Sequence, residues 1–133
     1  MNVNTRWVAL LDEDQDDFLI LAQGINTWAT GIDLVWFKNF LQFESALQTQ
    51  ETPPSLIILN GIAPSGTEFE WVKQFKTSSS FIEIPIIIMV EDYWEAQKQR
   101  YKTLNISDYV TKPVGQTELK TLVDKIRSFV PVI

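Results

Sequence analysis

The chain has 133 residues, 45% of them apolar and 21% charged, with 5 Gly and 6 Pro, which is the profile of one folded domain and excludes disordered, collagen-like and low-complexity classes. Eleven basic against 17 acidic side chains give a formal charge of −6, so the whole-molecule field repels nucleic acid phosphates and anionic membrane surfaces. There is no Cys and no His, which removes disulfides, thiol chemistry, imidazole-based triads and the usual zinc and copper sites and leaves any metal to oxygen ligands.

In chain order, Trp7–Leu11 reads as a first strand. It runs straight into acidic residues, without the length of a signal sequence or a small-residue cleavage site. Phe18, Leu21, Ala22, Ile25 and Trp28 then fall at helical spacing. Leu34–Phe37 is a second strand, and Phe40, Phe43 and Leu47 mark a second helix. Leu56–Leu59 is a third strand, apolar on both faces as buried parallel strands are. Phe69, Val72 and Phe75 suggest a helix before the fourth strand, Ile86–Val90, which Pro85 opens. The apolar run from Ile84 to Val90 is the longest and falls far short of the roughly 20 residues that span a bilayer, so no membrane span and a cytoplasmic location are expected. After a further helical segment and a fifth strand at Ser107–Thr111, the last helix carries Leu119, Leu122, Val123, Ile126, Phe129 and Val130 on one stripe and ends at Pro131. Strands alternating with helices predict an α/β doubly wound five-stranded parallel sheet, helices on both faces, in flavodoxin-like order 2-1-3-4-5. Residues 1–133 form one domain with a core over about 6–129.

In such a sheet function collects at the carboxyl ends of the strands. Strand one ends in Leu11-Asp12-Glu13-Asp14, followed by Asp16 and Asp17. Five carboxylates this close repel one another unless a divalent cation or a buried Lys sits among them. Asp14, Asp16 and Asp17 are accounted for by the dipole of the first helix, whereas Asp12 and Glu13 sit at the strand terminus and read as a site.

This pattern resembles the receiver domain of bacterial response regulators, which has an acidic pair after strand one, a phosphorylated Asp ending strand three, a Ser or Thr ending strand four, and Lys-Pro after strand five. Asp12 and Glu13 occupy the acidic-pair positions, Lys112-Pro113 matches the Lys-Pro, and Tyr109 stands where the family often has a rotating aromatic. The resemblance covers roughly residues 6 to 129 and implies a two-component or phosphorelay signalling module, not an enzyme.

Two departures matter. Strand three ends Leu59-Asn60-Gly61, placing Asn60 where the resemblance puts the phosphoacceptor. Its amide oxygen is a poor nucleophile, because its lone pairs are delocalised into the C–N bond. Strand four runs through Val90 to Glu91-Asp92, so the hydroxyl that would report phosphorylation is replaced by Val90, or by Glu91 if the loop begins one residue later. Lys112 is then expected to pair with Asp12 and Glu13, discharging the cluster. No cofactor is required on this reading; a weak Mg²⁺ site through Asp12, Glu13 and the Asn60 carbonyl stays open.

The expected function is that of a stand-alone pseudo-receiver acting by protein–protein contact without Asp phosphorylation, its partner a sensor kinase, photoreceptor or other signalling protein. No nucleic acid or membrane partner is expected, and pairing of two copies stays open. Residues 1–67 carry 2 basic and 8 acidic groups and residues 68–133 carry 9 and 9, so the two halves differ in charge. Tyr93, Trp94, Arg100 and Tyr101 mark a docking surface on the face made by the helix after strand four, strand five and the last helix; the spacing of Trp94, Tyr101 and Leu104 fits that helix's inward stripe as well. The alternative is an active Mg²⁺-dependent phosphoacceptor using another carboxylate, or a carboxylate produced by deamidation of Asn60-Gly61. A flavin-binding module on the same fold is disfavoured, since a loop of Asp12, Glu13, Asp14, Asp16 and Asp17 repels a phosphate.

Overall fold

The computed structural model describes residues 6–49, 52–60, 72–73 and 83–130. Five strands, β1 (Arg6–Leu11), β2 (Ile32–Phe37), β3 (Leu56–Asn60), β4 (Ile86–Val90) and β5 (Asp108–Thr111), form one parallel sheet in the order β2-β1-β3-β4-β5. Helices α1 (Gln15–Trp28), α2 (Phe40–Leu47), α3 (Glu95–Lys102) and α4 (Gln116–Phe129) are connected to them. Val72 and Lys73 are helical as well, and Val72 is buried; Phe69, Phe75 and Pro131 lie outside the described residues.

Side chains alternate across the sheet as the two-residue period of a strand requires. Trp7, Ala9, Leu11, Ile57, Leu59, Ile86, Ile88 and Val90 face one core with Phe43 of α2 and Tyr101 of α3. Val8, Leu10, Leu56, Ile58, Ile87 and Met89 face the other, where Leu21 and Ile25 of α1 meet Leu119, Leu122, Val123 and Ile126 of α4. Those two helices approach closely at Gly24, where an added Cβ would lie 2.9 Å from Leu119 Cγ. The β3 and β4 side chains in both cores are fully buried apart from Asn60, which is partly buried at the strand end.

The helix starts are locally encoded. Asp14 caps α1 by accepting from the Asp16 amide, and Asn39 caps α2 by accepting from the Gln42 amide. Gly31, at φ 105°, makes the turn between α1 and β2 that an L side chain resists.

Candidate functional site

The parallel register sets the site by bringing one residue from each central strand to a common edge. Leu11 lies opposite both Phe37 and Leu59, Asn60 opposite Met89, and Val90 opposite Thr111. The backbone continues past the strands as paired chain: Asp12 N donates to Phe37 O (3.0 Å), and Lys112 N donates to Val90 O (2.7 Å). Asp12, Asn60, Val90 and Lys112 thereby share the carboxyl edge of the sheet.

Asp12 is only 3% exposed. Its Oδ1 accepts from the Asp14 amide (2.8 Å) and from Asn60 Nδ2 (3.1 Å). An ionised carboxylate at position 60 has no N–H to give and could not make the second bond. Trp36, stacked on Phe18 with centroids 5.8 Å apart, donates its indole N–H to the Asp12 main-chain carbonyl (2.7 Å). This fixes the chain at the bend from β1 into α1.

Lys112 does not pair with Glu13. Its Nζ lies 2.7 Å from Asp17 Oδ2, with the two side chains 18% and 15% exposed. The expected Asp12–Glu13–Lys112 arrangement is corrected accordingly: Glu13 is exposed, whereas Asp17 lies one helical turn before Leu21, on the stripe by which α1 packs against the sheet. Asp12 feels Lys112 only as a nearby charge. Burial opposes the Lys112 ammonium, but Asp17, then Asp12 and Glu91, more than reverse this and leave its pKa raised.

Asp12 Oδ2 is buried and accepts no hydrogen bond from the described residues. Burial and the adjoining Asp17 carboxylate outweigh the Asp14 amide and Lys112, pushing Asp12 from 3.8 up to about 7. Among the described residues no three acidic side chains converge to hold a metal; Asp12 and Asn60 meet, while Glu13 stands apart from them at the surface.

Val90 is buried at the end of β4, and Pro113, with Asp17, Ile20, Leu21, Met89, Lys112 and Leu122, lines a crevice of about 20 Å³ between α1 and α4. Tyr109 is buried, its hydroxyl donating to Gln97 Oε1 (2.5 Å) and its ring 5.3 Å from that of Tyr93. Burial raises its pKa.

One docking-surface assignment around α3 is corrected. Tyr101 is 2% exposed and packs against Tyr109, so it belongs to the core and not to a docking surface. Trp94 stands just before α3, in extended conformation, and is 49% exposed. It leaves the inward stripe because helical phase does not reach back through an extended residue. Tyr93 and Arg100 are exposed as the docking surface requires.

No protein-family model matches the chain. Over 78 residues it is 31% identical to the phosphate regulon transcriptional regulatory protein PhoB of Escherichia coli, an alignment covering 58% of this chain and 34% of that protein. It is 28% identical over 97 residues to the two-component response regulator ARR3 of Arabidopsis thaliana, covering 70% and 42%. The chain thus spans between about a third and two fifths of the length of these curated relatives. Among solved structures, the Mn²⁺-bound form of response regulator Rcp1 superimposes with a TM-score of 0.76 at 20% identity, and the phosphorylated cyanobacterial phytochrome response regulator RcpA with 0.79 at 16%, each covering 96% of this chain and 99% of the other. With five parallel strands in the order 2-1-3-4-5 and its site at their carboxyl edge, the chain has the flavodoxin-like fold of response-regulator receiver domains, and its sequence likeness to two-component regulators supports the same assignment.

Proposed function

We propose that the chain is a pseudo-receiver, a two-component signalling module that works through protein–protein contact and whose state is not set by phosphorylation of an Asp. The observation that carries this is Asn60: it stands at the end of β3 and donates its amide N–H to Asp12 Oδ1. An amide engaged as donor offers no nucleophilic carboxylate to a phosphodonor. The pairing of Lys112 with Asp17 supports the same reading, since the site discharges itself from its own side chains. A sensor kinase, a photoreceptor or another signalling protein is the partner, in line with the phytochrome response regulator among the structural neighbours. No cofactor is needed for such docking.

Intact-mass measurement after incubation with acetyl phosphate and Mg²⁺ tests this. No mass increase is expected. A gain of one phosphoryl group that disappears in Asn60→Ala would overturn the proposal in favour of an active phosphoacceptor, formed by deamidation at Asn60-Gly61. A gain that survives Asn60→Ala would place the phosphoryl group on another carboxylate and would overturn it equally.

A further inference from the structure

The segment from Tyr93 to Lys102 is one of two basic stretches; in the other, Lys120 to Arg127, all three cations are ion-paired. Within a chain of net charge −6, the Tyr93–Lys102 segment carries Lys98, Arg100 and Lys102 against the single acid Glu95. That acid is engaged within its own turn: Glu95 Oε2 accepts from Gln99 Nε2 (2.7 Å) and Oε1 from the Tyr93 hydroxyl (3.3 Å). Lys98 Nζ lies over the Tyr93 ring, 5.4 Å from its centroid, and Lys102 takes part in no ion pair among the described residues. Glu95, Lys98 and Lys102 are three and four residues apart in sequence and share one face of α3. Beside that face stand Tyr93 and Trp94, 47% and 49% exposed. The inward face of α3 is already used, by Tyr101 in the core and by Gln97 on the Tyr109 hydroxyl.

Two aromatic rings beside outward cations on an anionic molecule form a surface with its own complement. Large rings supply the anchor area typical of binding hot spots, and the local charge selects the sign of what lies on them. We propose that the Tyr93–Trp94–Lys98–Lys102 surface docks an acidic segment of a protein partner, apolar side chains covering the two rings and carboxylates meeting Lys98 and Lys102. A second copy meeting this one through the same face would set cations against cations, and a nucleic acid strand would face the repulsion of the remaining acidic surface. The inference rests on the reading that the chain acts by protein contact, and it names the chemistry of the contact.

The test uses the purified chain without phosphodonor or Mg²⁺, so its outcome is independent of whether Asn60 can be bypassed. Fluorescence anisotropy is followed with a fluorescein-labelled peptide of mixed Glu and Leu, a peptide with Lys in place of Glu, and a thymidine oligonucleotide of equal length. Binding of the acidic peptide is expected, weakening as salt is raised, and falling by at least about tenfold in Trp94→Ala and in Lys98→Glu/Lys102→Glu. Leu41→Ala, at a residue still more exposed but on α2, leaves it unchanged. Trp94, Lys102 and Leu41 are exposed and Lys98 is half-buried, none of them in either core, so the variants keep the wild-type circular dichroism. Failure of the acidic peptide to bind, tighter binding of the Lys peptide or the oligonucleotide, or binding indifferent to Trp94 and the two lysines would each overturn the proposal.

Discussion

Asp12→Asn tests the buried acid directly. Unfolded, the Asp12 carboxyl has its ordinary pKa of 3.8; folded, it is raised to about 7, by burial first and by Asp17 second. Between those values the folded protein keeps a proton that the unfolded chain has released. The contribution is therefore complete below pH 3.8 and is lost progressively as pH rises towards 7. A raise of about 3 units at roughly 1.36 kcal/mol each is worth on the order of 4 kcal/mol. The neighbouring charges of Asp17 and Lys112 respond to the substitution and reduce what it recovers, to roughly 2–4 kcal/mol. Asn at position 12 keeps an oxygen for the Asp14 amide and Asn60 Nδ2 and offers an N–H to Asp17, so the bonds survive and the titration does not. Urea melts of both proteins from pH 4 to 8 measure the difference. Asp12→Asn should match wild type near pH 4, gain on it steadily up to pH 7 and hold a constant lead beyond. A difference that does not change with pH, or an Asp12→Asn protein less stable at pH 8, would refute the argument that Asp12 is held protonated by its surroundings.

Other consequences follow from the same contacts. Lys112→Met leaves Asp17 partly buried without its cation and should cost about 1–4 kcal/mol in denaturant melts, whereas a surface lysine would change stability by about half a kcal/mol or less. Asp17→Asn removes the second-largest cause of the Asp12 raise, so the fall of stability with pH should move to lower pH in melts of that variant. Asn60→Asp replaces the donor to Asp12 with another carboxylate, and titration calorimetry should show tighter Mg²⁺ binding than for wild type; equal affinities would detach position 60 from the acidic site. Gly24→Ala would gain about 1 kcal/mol of helix propensity but set a methyl 2.9 Å from Leu119 Cγ, where crowding costs roughly 1–3 kcal/mol. Thermal melts should show a net loss, and a raised midpoint would mean that α1 and α4 separate more easily than their packing implies.

Much of this arrangement can be read from residue order because a parallel sheet turns order into position. The strands are recognisable by their apolar β-branched runs, and their ends necessarily meet at one edge, so residue order alone brings Asp12, Asn60 and Lys112 together. What escaped was helical phase. The helix dipole alone explains an acid at position 17, yet Asp17 stands four residues before Leu21 and eight before Ile25, so the stripe that buries those two also carries Asp17 inwards. Glu13, adjacent in sequence to Asp12, is exposed because it lies past the end of β1, on the bend that leads into α1. Trp94 and Tyr101 part company for a related reason: the seven-residue spacing holds only inside a helix, and Trp94 lies just outside one. Trp36 gave no signal at all, since a side chain bonding a main-chain carbonyl 24 residues away leaves no pattern in sequence.

That last contact gives the site a spectroscopic handle. The indole N–H of Trp36 ends on the carbonyl of Asp12 itself, so its proton resonance senses the electron density of the peptide group that carries the buried acid. In a nitrogen–proton spectrum a chain with 5 tryptophans yields only a handful of indole peaks, well apart from the crowded amides. Following the Trp36 peak through a pH titration would read the protonation of Asp12 at the residue itself, free of the sum over all carboxylates that a melting curve reports.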